Sequence, residues 1–197
     1  MKNFVYQFIR LFLLAIFKIF FRIKINGKEN LPEQGAVIVM SNHISGFDPP
    51  LLAAIFSRPL RFMAKKELFE NSIIRFVLFL ADAFPVDRSK NDITAVKTAL
   101  SLLKNQEVLG LFPEGTRHPE GKIGNLKAGS VMLAIKSGAP ILPVGIKNVK
   151  KDGRITINIG ESFSMEQFTG KRLNKEERKK AAQFIKNKIN KELNYKE

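Results

Sequence analysis

The chain has 197 residues with 33 Lys and Arg against 18 Asp and Glu, a formal balance of +15. That length suits one domain, and that charge calls for a polyanionic partner or an anionic surface. Cysteine is absent, which excludes disulfides, thiolate nucleophiles and zinc ribbons. Of the aromatic residues 17 are Phe and none is Trp. The Phe gather in apolar runs such as LFLLAIFKIFF and RFVLFL, not among cations, so a lipid surface is favoured and nucleic acid is not expected as a partner.

Residues 4–23, FVYQFIRLFLLAIFKIFFRI, have the length of a membrane span, but Arg10, Lys18 and Arg22 interrupt them. The longest clean apolar run covers only residues 11–17, against the roughly 20 that a span needs. On a helical wheel Gln7, Arg10, Lys18 and Arg22 share about a third of the circumference with Leu11 and Leu14. Residues 1–26 are therefore expected to form an amphipathic helix in the membrane interface, its cations on headgroup phosphates, with the rest of the fold in 27–197. A core helix with snorkelling cations and a short tilted span are the alternatives. The following RIKINGKENLPE lacks the small-residue pattern of a cleavage site, so a cleaved signal is not expected.

After the turn-rich NGKENLPEQG, AVIVMSN reads as a buried strand and PPLLAAIF as a helix. LRFMA then reads as strand, SIIRFVLFLAD as helix, AFPV as a short strand, DITAVKTALSLLKN as helix and EVLGLF as strand. KAGSVMLAIKSG is the next helix, PILPVGI and RITINIG are strands, and NKEERKKAAQFIKNKINKEL closes the chain as a helix. Strands alternating with helices predict a single α/β domain with a mostly parallel twisted sheet flanked by helices. In such sheets ligands gather past the carboxyl ends of strands. Residues 42–48, Asp87 with Arg88, and residues 113–117 fall at such ends.

In SNHISGFDPP, His43 and Asp48 lie five positions apart. An imidazole exchanges protons near neutral pH, and a carboxylate on one ring nitrogen makes the other a better base. The turn through Gly46 is long enough to return Asp48 to the ring. Ser45 is too close in sequence to complete a triad, so the base would activate an incoming hydroxyl directly. Asn, His, Ser and Asp are equally common in turns and helix caps, and the motif alone leaves both readings open.

A second candidate loop follows in FPEGTR. Gly115 frees the backbone to point amides at an anion, Thr116 adds a hydroxyl, and Arg117 offers a fork matched to phosphate oxygens. Arg88 in VDRSK, with Lys65 and Lys66 in AKKEL, stands past other strands. Four cations could thus converge on one phosphate, although each read singly is a surface charge.

NHISGFDP, AFPVDR, FPEGTR and PILPV occur in that order over residues 42–144, and together they resemble the four sequence blocks of the glycerolipid acyltransferase family. The resemblance is to its 1-acyl-glycerol-3-phosphate acyltransferase members in particular. It implies His43 as general base with Asp48 orienting it. It implies a phosphate-binding set of Arg88, Glu114, Gly115, Thr116 and Arg117 with Lys65, and an acyl pocket at Pro140, Ile141, Leu142, Pro143 and Val144. In two places the chain departs from the blocks. Asp82 stands where the second often begins with Gly, and His118 follows the third where Ser is frequent.

The implied reaction moves a fatty acyl group from a thioester of acyl carrier protein or coenzyme A to the free hydroxyl of lysophosphatidic acid. Residues 27–197 would then be the catalytic domain. No cofactor and no metal are expected, since only two His are present. The oxyanion donor is sought among amides near Gly46 or Gly115. The expected location is the cytoplasmic face of the cell membrane, peripheral or monotopic. The rival readings are an acyltransferase for another lysolipid, such as a lyso-ornithine lipid or a remodelling substrate, and a non-catalytic basic membrane-binding module.

Overall fold

The computed structural model describes residues 2–80, 82–87, 89, 92–149, 153–170 and 173–194. Among them the strands are β1 (Arg22–Asn26), β2 (Val37–Ser41), β3 (Leu60–Lys65), β4 (Phe84–Val86), β5 (Val108–Leu111), β6 (Ile141–Val149) and β7 (Arg154–Ile159). The helices are α1 (Lys2–Phe20), α2 (Asp48–Ile55), α3 (Ser72–Leu80), α4 (Ile93–Lys104), α5 (Ala128–Ser137) and α6 (Lys175–Asn194). All seven strands join one sheet in the order β1-β7-β6-β2-β5-β3-β4. Every neighbouring pair is parallel except β6 with β7. The predicted α/β class and mostly parallel sheet are thus the observed ones.

β2 shows why. Its VIVMS is buried at every position, with Ile38 and Met40 in the core layer shared with α4, α5 and α6. Val37 and Val39 enter the layer shared with α1 and α2. A strand covered on both faces has to be apolar throughout, which is why parallel strands read as unbroken hydrophobic runs. Helix ends follow local chemistry. Asp92 caps α4 by accepting the Ala95 N–H at 2.9 Å. Gly138 stops α5 in the left-handed region at φ 64°.

The amino-terminal segment differs from the expectation in two ways. Residues 22–26 are not the end of a helix but β1, paired in parallel with β7, so the boundary expected at 26/27 falls inside the sheet's own edge. The isoleucines of RIKIN alternate, as a one-sided edge strand requires. The amphipathic arc is also turned. The Tyr6 hydroxyl donates toward the carbonyls of Ala53, Phe56 and Arg58, Gln7 donates to the Ser57 carbonyl at 2.6 Å, and Phe17 is buried. The arc bearing Gln7 therefore borders the packed face, while Phe8, Leu11, Phe12, Ile19 and Phe20 point outward. No helix among the described residues is long and apolar enough to cross a membrane.

Candidate active site

β2 delivers the first candidate loop to the carboxyl edge of the sheet. Asn42, wholly buried, fastens its root to β6: its Nδ2 donates to the Ile146 carbonyl at 3.0 Å, and the Ile146 N–H donates to its Oδ1 at 2.8 Å. The chain then turns back on itself, and His43 Nδ1–H donates to Asp48 Oδ2 at 2.7 Å. That oxygen also accepts the Ile44 N–H at 2.7 Å and the Ser45 N–H at 2.8 Å. Asp48 opens α2 with prolines behind it, so its charge sits at the positive end of the helix and the prolines cost no needed donor. His43 is 8% and Asp48 2% exposed. The turn expected from the sequence is present, and it is the device that holds the two side chains together. Nε2 of His43 is the ring nitrogen that Asp48 does not engage.

The imidazole is also held from its face. Phe112 stacks on His43 with ring centroids 4.1 Å apart, and Phe62 stacks on Phe112 at 5.6 Å. Phe62 has its place because Gly110, next to it across β3 and β5, has no side chain; a Cβ there would overlap the ring. This stack from the middle of the sheet to the base was not anticipated. Its one sequence signal is the glycine interrupting EVLGLF.

Glu114 has a different position from the one expected. It was grouped with the phosphate-binding residues, but its carboxylate is fully buried and turned inward. Oε1 accepts the His43 N–H at 3.1 Å. Oε2 accepts the Gly124 N–H at 2.9 Å and lies 3.1 Å from His118 Nε2. The His118 N–H donates to the His43 carbonyl at 2.7 Å. Glu114 and His118 therefore clamp the backbone of His43 from both sides, and a buried anion turned into such a clamp does not face a second anion.

Cations border this interior. A Cβ on Gly46 would lie 3.3 Å from Arg117 Nη2, so the exposed guanidinium rests against the loop between His43 and Asp48. Gly115 turns at φ 71°, where glycine is unstrained, and the Lys127 side chain packs over it. Lys127 was not among the expected residues, because it lies ten positions beyond Arg117 and only the fold returns it. Thr116 is exposed beside Arg117. Lys65 lies at the carboxyl end of β3, half exposed, 3.5 Å from Glu67. Lys66 is tied to Asp87 at 2.7 Å. Arg88 lies outside the described residues.

The Acyltransferase family pattern matches residues 22–147. The chain belongs to the Acyltransferase family. It is similar to 1-acyl-sn-glycerol-3-phosphate acyltransferases of Bacillus subtilis, 35% identical over 74% of this chain and 76% of the relative, and of Borreliella burgdorferi, 33% identical over 64% and 52% respectively. Among solved structures it resembles the crystal structure of the 1-acyl-sn-glycerophosphate (LPA) acyltransferase PlsC from Thermotoga maritima. The TM-score is 0.78 at 28% identity, covering all of this chain and 83% of that one. A non-catalytic membrane module is thereby set aside.

In this acyltransferase the segment expected to form an acyl pocket does not form one. Ile141, Leu142 and Val144 are 0% exposed and Pro143 is buried; they are the first four residues of β6, paired with β2, and their side chains are spent on the core. Pro140 is exposed at the far end of the strand. A narrow slot of about 70 Å³ lies beside the His43–Asp48 loop, between Phe17, Phe21, Phe47, Leu51 and Ile155, with Asp48 at its wall. A larger depression of about 740 Å³, between α5 and the start of α6, shares no residue with the site. Asp82 fits its departure from the blocks: at φ 52° it occupies the conformation glycine adopts freely and Asp tolerates, and it is anchored by Arg61 at 2.8 Å.

Proposed function

We propose that this acyltransferase transfers a fatty acyl group from an acyl carrier protein or coenzyme A thioester to the sn-2 hydroxyl of 1-acyl-glycerol-3-phosphate, forming phosphatidic acid. The observation that carries the proposal is the buried His43–Asp48 pair, 2.7 Å apart, with the Arg117 guanidinium against the same loop. One group there removes a proton and the other holds a phosphate a short distance away, which is the arrangement a hydroxyl on a glycerol phosphate requires. The names of the similar proteins support the same acceptor.

His43 Nε2 takes the hydroxyl proton as the oxygen attacks the thioester carbonyl carbon. Asp48, fixed by its two amide donors, keeps Nδ1 protonated and stabilises the imidazolium. The tetrahedral oxyanion collapses, the C–S bond breaks, and the imidazolium returns the proton to the departing thiolate. Of the two amides considered for the oxyanion, that of Gly115 already donates to the Phe112 carbonyl at 3.1 Å. The Gly46 amide, exposed in the catalytic loop, is assigned the role. Arg117, Lys127, Lys65 and Arg88 hold the phosphate, and Thr116 adds a hydroxyl. The acyl chain enters along the slot at Phe17, Phe21 and Phe47, which replaces residues 140–144 in that role. The enzyme works on the cytoplasmic face of the membrane, attached peripherally or monotopically to anionic lipid.

The test is transfer of labelled acyl groups from each thioester to lysophosphatidic acid in mixed micelles, with His43→Ala as the comparison. Transfer that vanishes with His43 is the expected result. Undiminished transfer by the variant would sink the assignment. Transfer only to lysolipids without a phosphomonoester would move the acceptor to the other lysolipid class.

A further inference from the structure

We propose that α3 is a second membrane-inserting element, so that the enzyme rests on an anionic bilayer at two apolar points flanking the active site: the end of α1 and α3. The inference rests on the bilayer-resident acceptor proposed above and names the surface that reaches it.

α3 reads SIIRFVLFL, and none of its described side chains is buried. Ile74 is 40%, Phe76 62% and Phe79 73% exposed. A helix this apolar that leaves Ile74, Phe76 and Phe79 exposed needs another cover for that face.

Its position follows from strand register. β4 pairs with only the last residues of β3, Met63 with Phe84 and Lys65 with Val86. The chain between them leaves and re-enters at the carboxyl end of the strands, the end at which His43 and Arg117 lie. A crossover helix normally descends over a sheet face and buries a stripe there. This one remains at the edge, by β3 and β4.

On the other side of the catalytic loop lies the end of α1. Tyr6 binds carbonyls at the finish of α2, whereas Phe17 and Phe21 share the slot with Asp48, Ile146 and Ile155. α1 therefore runs toward the carboxyl edge and ends over β6 and β7, with Ile19 77% and Phe20 71% exposed. Phe47, 67% exposed, stands between the two points in the catalytic loop itself. In the sheet order β7-β6-β2-β5-β3-β4, the loops after β2 and β5 lie between the apolar points.

Charge identifies the cover as anionic lipid. Exposed Lys18 and Arg22 adjoin Phe20, Arg75 lies within α3, and Lys65 and Arg117 are exposed at the same edge. Apolar tips interleaved with cations are the pattern of an interfacial anchor, the tips entering the acyl boundary and the cations meeting headgroups. Two anchors on opposite sides of a site fix its orientation, so the opening above His43 faces the leaflet that holds the acceptor.

The test uses the full chain with vesicles of mixed phosphatidylglycerol and phosphatidylcholine. Phe76→Asp with Phe79→Asp, on one face of α3, is expected to lower vesicle partitioning by about tenfold or more. Transfer to vesicle-embedded lysophosphatidic acid should fall with it. Transfer to a short-chain lysophosphatidic acid dissolved as monomers should hold. Because the protein has no tryptophan, Phe79→Trp supplies an independent reading that does not depend on tolerance of two charges: its emission should shift to the blue with anionic vesicles and be quenched by brominated acyl chains. Equal partitioning of the double variant and the unaltered protein, or a tryptophan that stays in water on bound protein, would overturn the inference. So would a self-associating unaltered protein that the double variant turns monomeric, since a second copy would then be the cover of α3. Failure to transfer to either form of lysophosphatidic acid would count against the acceptor, and the vesicle readings would still decide the role of α3.

Discussion

Around His43 the side chains are sunk into the fold and committed to one another, while a few ångströms away the cations of the rim stand in solvent. Asp48 Oδ2 accepts three hydrogen bonds and Glu114 grips the His43 and Gly124 amides. Lys65 is half exposed with a carboxylate 3.5 Å away, and Arg117 is exposed over Gly46. The difference follows from what each region meets. A base has to be aimed before the substrate arrives, since misorientation lowers the rate directly. A phosphate brings its own charge, and flexible, hydrated cations adjust to it at little folding cost.

Substitutions in the interior should therefore damage rate or folding, and substitutions in the rim should damage affinity. The largest effect is expected from His43→Ala, a loss of about 10³-fold or more in kcat with KM for lysophosphatidic acid little changed, read in steady-state assays. Asp48→Asn should cost about 10²-fold or more in kcat, because an amide does not fix the imidazole tautomer as a carboxylate does. It should also lower the melting temperature, since the site faces two amide donors. A rise in KM alone for either variant would erase the distinction between the regions.

Glu114→Gln should destabilise by about 2 kcal/mol in urea unfolding, since the new NH₂ group faces a backbone donor in a dry site; unchanged stability would mean that the clamp is slack. Arg117→Ala should raise KM for a phosphate-bearing acceptor about tenfold or more with kcat largely kept, and an equal effect on an acceptor without phosphate would remove it from the rim. The smallest effect is expected at Asp87. Its bonds to Lys66 and Ser89 hold the carboxyl well below the usual range. The stability it lends is present above that range and is lost as pH falls below about 4. Asp87→Asn should thus lower stability most at pH 7, and by progressively less as pH falls below about 4, in paired denaturant titrations.

Legibility in the sequence divided along a similar line. His43 with Asp48 was readable because the chain closes on itself within five residues, so local spacing decides whether the groups meet. The α/β alternation was readable because each strand reports its own burial. Glu114 was misassigned because its neighbours in sequence, Gly115 to Arg117, turn outward while it turns inward, a choice made by the amides of His43 and Gly124 from elsewhere in the chain. PILPV was misassigned because an apolar run reads alike whether it lines a pocket or fills a sheet. The arc of α1 was turned for the same reason: hydrophobic periodicity shows that a helix has faces, not which face docks on α2.

The amino-acid sequence by itself determined the order of strands and helices from β2 onward, the closure of Asp48 on His43 and the excess of positive charge, because these depend on short-range spacing and on composition. Only the tertiary structure decided that β1 joins the sheet, that Phe62 and Phe112 stack behind His43, that Lys127 returns over Gly115, and that Phe76 and Phe79 of α3 are left exposed. Those outcomes depend on which distant segments come into contact, and contact between segments far apart in the chain is a property of the packed fold that no local pattern encodes.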